Sequence, residues 1–348
     1  MLEVVMILSV LLLLLGAILW AGGGKTLHEA HGSGIIEAIP GALETSPGPV
    51  AELVVLSYSI AYGLGDSCQW GRRMEPATVY DRLDAVIATI AASGADVALL
   101  QEVDFASRRT YDVDQLQYIA AALGWGFVAR VITWECRYLP LPFWAPQRHA
   151  GRLRAGQGVI SRYPLVQNMR QRLSQPLTQP LLSALFSPYH TVQMVDMQCG
   201  DRTIRFLNVH LESRNTATRQ RQAQELVAFG RHVVTPNCVL MGAFNSVASE
   251  VTARVDGPGV SQDRTLDIIT SGLRDRLRLV TDRHPPSSPA ALHYHWEHAL
   301  IGPGLQTAET QVVMPDEPVS DHLPLLVRLR WALPLVTQNR RPHHEHLC

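Results

Sequence analysis

Cysteine is scarce and badly spaced for structural use. The five present, Cys68, Cys136, Cys199, Cys238 and Cys348, are an odd number lying far apart, and no CxxC pair occurs. That pattern argues against a disulfide framework or a zinc knuckle. Cys199 and Cys238 fall in or beside apolar, strand-like runs and read as small buried side chains rather than reactive thiols. An excess of either charge is also missing: the formal net charge is −1. No global field therefore draws the chain to a nucleic-acid backbone, and phosphate binding must come from local clusters of arginine. No internal repeat, long basic stripe or second linker interrupts Glu52 to Arg330, so one soluble domain is expected there.

What is present begins with an apolar extreme. Val4 to Ala21 carries no charge and includes an unbroken block from Leu11 to Leu15; at 1.5 Å per residue the run spans about 27 Å, enough to cross a hydrocarbon core. A cleaved signal peptide, and hence secretion, is the alternative. The segment ahead of the run, however, offers Glu3 in place of Lys or Arg, and Leu19-Trp20-Ala21 is a poor small-x-small cleavage site. Residues 1–24 are thus expected to be an uncleaved, single-pass membrane anchor. Lys25 is the only cation close by, which leaves its orientation unspecified. Gly22 to Pro49 contains Gly-Gly-Gly, Gly-Ser-Gly and Ser-Pro-Gly-Pro, and residues 25–51 are expected to be a flexible linker. The domain then occupies 52–330, and residues 331–348 form a polar tail ending in His343, His344, Glu345 and His346.

Within the domain, hydrophobic periodicity alternates strands and helices. Strands are expected at Leu53–Ile60, Asp96–Leu100, Gly126–Ile132, Gln157–Ile160, Thr191–Met197, Thr203–His210, Cys238–Met241, Ala299–Ile301 and Leu323–Leu329. Helices are expected at Val79–Ala92, Gln115–Leu123 and Thr216–Val233. This is an α/β (α+β) pattern, and the runs of adjacent strands imply mixed rather than purely parallel sheets.

Polar and charged residues recur directly after these strands, where sheet ends present side chains to a cleft. The stretches are Gln101-Glu102, Asn208-Val209-His210-Leu211, Gly242-Ala243-Phe244-Asn245 and Ser320-Asp321-His322. A carboxylate such as Glu102 at the end of a buried strand is costly unless paired or bound to a cation. Together and in this order the four resemble the QE, N-x-H-L, G-D-x-N and S-D-H motifs of the endonuclease/exonuclease/phosphatase superfamily. Leu56 to Gly63 is similar to the first strand of that family, and Gly158 to Pro164 to a further segment, so the resemblance covers nearly all of 52–330.

The resemblance implies a four-layer sandwich, two mixed β-sheets packed face to face and flanked by helices, with the active site at one end. It implies a metal-dependent phosphodiesterase or phosphatase using Mg2+ or Mn2+. Glu102 and Asp321 would hold the metal, and His322 would be the base or phosphate partner, oriented by Glu297. His210 and Asn245 would donate hydrogen bonds to the developing charge on phosphate. Ser59 stands where the family has Asn and would still bind substrate.

Ala243 stands where the family has the Asp of G-D-x-N, a loss that costs on the order of 10²- to 10⁴-fold in rate. A natural pseudoenzyme, an enzyme with a substitute group and an introduced inactivating substitution all account for it. The competing readings are therefore a phosphate-ligand-binding pseudoenzyme and a nuclease of the same superfamily. Finally, Trp134 to Trp144 is rich in aromatics and proline and is followed by Arg148, His149, Arg152 and Arg154. It reads either as a loop packed on the domain or as a rim facing membrane or substrate, in which arginines such as Arg154 meet phosphate. With the anchor, a lipid-derived or membrane-proximal phosphoester is the expected substrate, and no obligate protein partner is indicated.

Overall fold

The periodicity read from the sequence resolves into two stacked sheets. The computed structural model describes residues 2–22, 31–40, 50–65, 74–142, 145–177, 179–246, 263–281 and 296–332. In chain order the helices are α1 (Leu2–Gly22), α2 (Pro76–Ser93), α3 (Gln115–Ala122), α4 (Leu181–Phe186), α5 (Thr216–Val233) and α6 (Thr265–Gly272). The strands are β1 (His31–Ser33), β2 (Ile35–Ala38), β3 (Glu52–Ser59), β4 (Val97–Asp104), β5 (Phe127–Leu139), β6 (Gly151–Ser161) and β7 (Leu165–Arg172). They continue with β8 (Thr191–Cys199), β9 (Arg202–His210), β10 (Cys238–Ala243), β11 (Arg278–Leu279), β12 (Glu297–Ile301), β13 (Leu305–Val312) and β14 (Leu325–Trp331).

One sheet has the order β1-β7-β8-β9-β10-β12-β11 and the other β13-β14-β3-β4-β6-β5-β2. Both are mixed: β9 and β10 run parallel in the first, β3 and β4 in the second, and the remaining pairs are antiparallel. Apolar side chains of α2 (Val79, Leu83, Val86, Ile90) recur at helical spacing, are fully buried, and cover the outer face of the second sheet together with α3. Each contributes about 1.5–3 kcal/mol by leaving water. Leu226 of α5 and Leu266 and Ile269 of α6 do the same for the first sheet. The helix ends follow local chemistry: Pro76 opens α2, Gly94 closes it in the left-handed conformation, and Asp114 and Asn215 cap α3 and α5 by accepting backbone N–H groups. The expected four-layer sandwich is the observed one.

The layer between the sheets carries the site. Its middle is hydrocarbon: Leu53 and Val55 of β3, Val97 and Leu99 of β4, Phe206 of β9, Met241 of β10 and Ala299 of β12 pack together. Because a strand repeats every two residues, the same face of each strand continues toward one end as Ser57 and Ser59, Gln101, Asn208 and His210, Ala243 and Glu297. The core thus turns from apolar to amide to charged along its length. The amide zone is closed on itself. Gln101 Nε2 donates to Asn208 Oδ1 (2.7 Å) and Ser57 Oγ (3.1 Å), Asn208 Nδ2 donates to Gln193 Oε1 (3.1 Å), and Gln193 Nε2 donates to Asn168 Oδ1 (3.1 Å).

Several expectations need correction. The segment read as a flexible linker contributes β1 and β2, which pair with β7 and β5 and so extend one edge of each sheet. Gly34 makes the crossing between the sheets: a Cβ there would lie 2.1 Å from Asn168 Nδ2, so only glycine fits. The stretch read as a loop from Trp134 begins as strand, because β5 runs on to Leu139 with Trp134 and Cys136 buried. Strand β7 and edge strand β13 were not anticipated, since half-exposed polar sequences such as LQTAETQV lack a buried face. Cys136, Cys199 and Cys238 are free and buried, and burial pushes each thiol up to about 12, as inert side chains require. The tail beyond Ala332, Cys68, Cys348, Phe143 and Trp144 lie outside the described residues.

Candidate active site

Strand ends from both sheets converge here. On the second sheet, a β-bulge after Leu100 places Glu102 in the left-handed region (φ 54°). That conformation is uncommon for a residue other than Gly, Asn or Asp, and holding it costs on the order of 1–3 kcal/mol. Strict alternation would turn Glu102 away from Gln101's face. The bulge instead brings its carboxylate to 4.0 Å from Nε2 of His210 on the facing sheet. Burial pushes this carboxyl above the usual range; the charge of His322 opposes the shift and that of Asp321 adds to it.

Opposite, His322 Nδ1 lies 3.0 Å from Glu297 Oε1, and Ser57 Oγ donates to Glu297 Oε2 at 2.9 Å. Ser57 in turn accepts from Gln101 Nε2, so the His322–Glu297 pair is anchored in the amide network of the core. His322 and Glu297 are both nearly inaccessible. Burial alone would depress the imidazole, but the hydrogen bond and charge of Glu297, with Asp321 and Glu102 behind, raise it above its ordinary value. The ring of Trp296 meets that of His322 edge-on at 5.4 Å, and Ser320 Oγ accepts from the His322 N–H at 3.1 Å. Asp321 is exposed beside it.

His210 ends β9. Burial first, then the charges of His190 and His322, hold it well below its ordinary value. His190, at the start of β8, has its ring edge-on to His210 at 5.6 Å, Nδ1 at 3.2 Å from the His210 carbonyl and Nε2 at 3.2 Å from Glu212 Oε2. Burial would raise the Glu212 carboxyl, yet hydrogen bonds from His190 and from backbone N–H groups bring it down to about 2. Asn245 follows β10, also left-handed (φ 51°), and donates from Nδ2 to the Leu211 carbonyl at 2.7 Å. Gly242 is forced by packing, since a Cβ there would meet the Val209 carbonyl at 2.0 Å.

Ala243 stands in register with His210 on one side and Glu297 on the other. Its methyl is fully buried and occupies the centre of the constellation, where the sequence motif led one to expect a carboxylate. The hydroxyl of Ser59 is buried and has no hydrogen-bond partner, and the same holds for Oε1 of Gln101, its partner in register on β4. The orphaned hydroxyl suits a cation, a water or a phosphate, and the orphaned amide oxygen, which only accepts, a cation or a water.

The residues expected from sequence therefore divide. Glu102, His210, Asn245, Glu297, Asp321, His322 and Ser59 share one end of the sandwich. Arg154 does not join them by any contact among the described residues: its Nε lies 3.9 Å from Glu135 on the β5–β6 extension. Reading the sequence missed Ser57, Glu212 and His190. His190 had a usable signal, a polar residue directly before a buried strand, the mirror image of the strand-end logic that found the others. No three His, Cys, Asp or Glu side chains among the described residues form a metal cage. The donors fit a hard cation such as Mg2+, which takes one or two carboxylates and completes its shell with water and substrate oxygens.

Comparison with known proteins identifies the fold and the family. No curated protein matches the sequence. Among solved structures, an endonuclease/exonuclease/phosphatase from Beutenbergia cavernae DSM 12333 is similar at 18% identity over 81% of this chain and 72% of that one, with a TM-score of 0.57. The human Nocturnin catalytic domain with bound sulfate is similar at 16% identity over 84% of this chain and 100% of that one (TM-score 0.54). ANGEL2, a 2',3'-cyclic phosphatase, is similar at 17% identity over 88% and 100% (TM-score 0.53). At such identities these likenesses establish the fold. The model of the Endonuclease/Exonuclease/phosphatase family matches residues 64–322, a span that includes every strand end described above except that of β3, and the chain belongs to that family.

Proposed function

We propose that this protein is a membrane-tethered, divalent-metal-dependent phosphoester hydrolase. The observation that carries the reading is the pair of facing arrays: the buried chain His322–Glu297–Ser57 on one side and Glu102 with His210 on the other. Glu297 engages Nδ1 of His322, so Nε2 is the nitrogen left to take a proton from an attacking water or to hold a phosphate oxygen. His210 and Asn245 supply donors for the charge that develops on phosphate, fixed in place before the reaction begins. Glu102, with Asp321, would hold Mg2+ or Mn2+, which when bound polarises the phosphoryl oxygens. That one structural neighbour binds sulfate and another is a 2',3'-cyclic phosphatase supports a phosphate-sized anion as the ligand. The tether reading rests on α1, which is long and apolar enough to cross a membrane.

Ala243 favours a second reading, a phosphate-binding protein without turnover. One screen separates the two. Full-length protein in detergent is offered aryl phosphodiesters, aryl phosphomonoesters and oligonucleotides with Mg2+ or Mn2+. The hydrolase reading expects metal-stimulated turnover that falls at least a hundredfold in His322→Ala. Equal rates for wild type and His322→Ala on every substrate, with thermal stabilisation by inorganic phosphate, would establish the binding protein instead.

A further inference from the structure

The end of the sandwich that holds the site is also the end that holds α1. On β5, Ile132 is level with Gly156 of β6 and hence with Val103, one residue past Glu102. From Thr133 to Leu139 the strand runs seven residues beyond the site, roughly 20 Å at strand rise. On the other sheet, Arg172 of β7 is level with Thr191 and His210. The connection from Leu173 to His190 makes a second excursion past the same end. The two are tied together: Trp134 Nε1 donates to the Phe186 carbonyl (2.8 Å), and the Tyr189 N–H donates to the Thr133 carbonyl (2.8 Å).

The C-terminal end of α1 touches both excursions. Arg137 of β5 donates from Nη1 to the Trp20 carbonyl at 3.2 Å and lies 5.7 Å over the Trp20 ring. Gly22 is buried against Leu185 of α4, where a Cβ would come within 3.0 Å. Among the described residues the rest of α1 is largely exposed, Leu13 at 74% for example. A third observation lies on the excursion from Leu173: Leu177 is 86% exposed, more than any other large hydrophobic residue among those described. Arg148, beyond the end of β5, is exposed as well.

We infer that this end of the domain rests on the bilayer that α1 enters, and that the substrate is a phosphoester carried by a membrane lipid. The inference builds on the proposed hydrolase function and its anchor. If α1 spans, Trp20 lies at the lipid–water interface, as tryptophan prefers, and the headgroup plane crosses the mouth between the two excursions. Leu177 enters the acyl boundary, and Arg137 and Arg148 face headgroup phosphates. Lipid phosphates then lie at the open mouth that leads down to Glu102 and His322, whereas a soluble phosphoester must diffuse in along the membrane surface.

The test uses full-length protein in phosphatidylcholine–phosphatidylglycerol nanodiscs and two probes with one reactive group, p-nitrophenyl hexadecyl phosphate and p-nitrophenyl methyl phosphate. Wild type is expected to favour the hexadecyl probe at least tenfold in kcat/KM. Leu177→Glu should remove that preference while leaving the methyl probe within twofold; Leu177→Ser serves if the charged variant misfolds. Equal rates for both probes in wild type overturn the inference and leave the hydrolase reading intact. If neither probe reacts, the hydrolase reading fails, and a second measurement still decides the membrane contact. A bimane on Leu177→Cys, corrected for label on unsubstituted protein, should be quenched by brominated lipid, and one on Asp201→Cys, in the β8–β9 turn at the far end, should not. Equal quenching at the two positions refutes the contact.

Discussion

Restoring a carboxylate at position 243 is the most direct test of the site. Ala243 is fully buried and in register with His210 and Glu297, neighbours whose Cβ atoms lie about 5 Å away across a sheet. At that separation and an effective dielectric constant near 20, each unit charge interacts by about 3 kcal/mol, close to two pKa units. Against Glu297 the new carboxylate in Ala243→Asp is therefore expected to titrate near pH 6 rather than 4, with the fold destabilised by a comparable few kcal/mol. Against that cost stands a positioned base or water-orienting group, about 10²- to 10⁴-fold in kcat, or roughly 3–5 kcal/mol at the transition state. The expected result is a protein with a lower Tm and a higher kcat, whose rate rises through a midpoint near pH 6. Ala243→Asn, which matches the size without the charge, should escape the repulsive part of the loss in Tm and gain little rate. Steady-state kinetics on an aryl phosphodiester from pH 5 to 9, beside thermal melts, provide the readout. A folded Ala243→Asp whose kcat changes by less than about threefold at every pH would refute the placement of position 243 at the centre of the chemistry.

Other outcomes follow from single residues. Glu102→Gln should raise the Mg2+ concentration needed for half-maximal rate by at least tenfold. In the wild type, that requirement should rise as pH falls through the elevated Glu102 pKa, because the protonated acid cannot hold the cation; an unchanged Mg2+ requirement would remove Glu102 from the metal site. Asn208→Leu leaves Gln101 and Gln193 without their partner in the core and should cost about 2–4 kcal/mol in urea unfolding, whereas a change below 0.5 kcal/mol would mean the network adds little. The Glu212 carboxyl is depressed to about 2, so its contribution to stability is present above about pH 4.5 and is lost as pH falls toward 2; Glu212→Gln should flatten acid unfolding across that window. The His322 imidazole is raised, so its pairing with Glu297 stabilises fully below about pH 6.5 and fades as pH rises through the elevated value. Glu297→Gln should abolish that alkaline fall, as read from Tm against pH.

Much of this site was written in short stretches of sequence, and the reason is geometric. A strand that buries an apolar face and then ends on a polar residue must deliver that residue to a sheet end, which is how Gln101-Glu102 and Asn208 to His210 disclosed themselves, while Ser320 to His322 stand just ahead of β14. The fold class followed from the same alternation. The linker was misread for a related reason: glycine and serine in His31 to Ala38 signal a break in periodicity, but backbone pairing at a sheet edge needs no buried side chain. Leu177 likewise carries no local pattern that singles it out, whereas Arg137 falls in the aromatic stretch read as a packed loop or a rim facing membrane or substrate.

By itself the sequence determined which residues are apolar at period two, which carboxylates and imidazoles stand beside those runs, and that an apolar helix precedes the domain. The tertiary structure alone decided what those residues meet. Glu102 reaches His210 only through a left-handed bulge, Glu297 reaches His322 from a strand 25 residues away in sequence, and His190 joins Glu212 only because β8 and β9 pair in one register. Such contacts are set by sheet packing and register, which depend on the whole chain at once; strand-end chemistry is local, and local order is what a sequence displays.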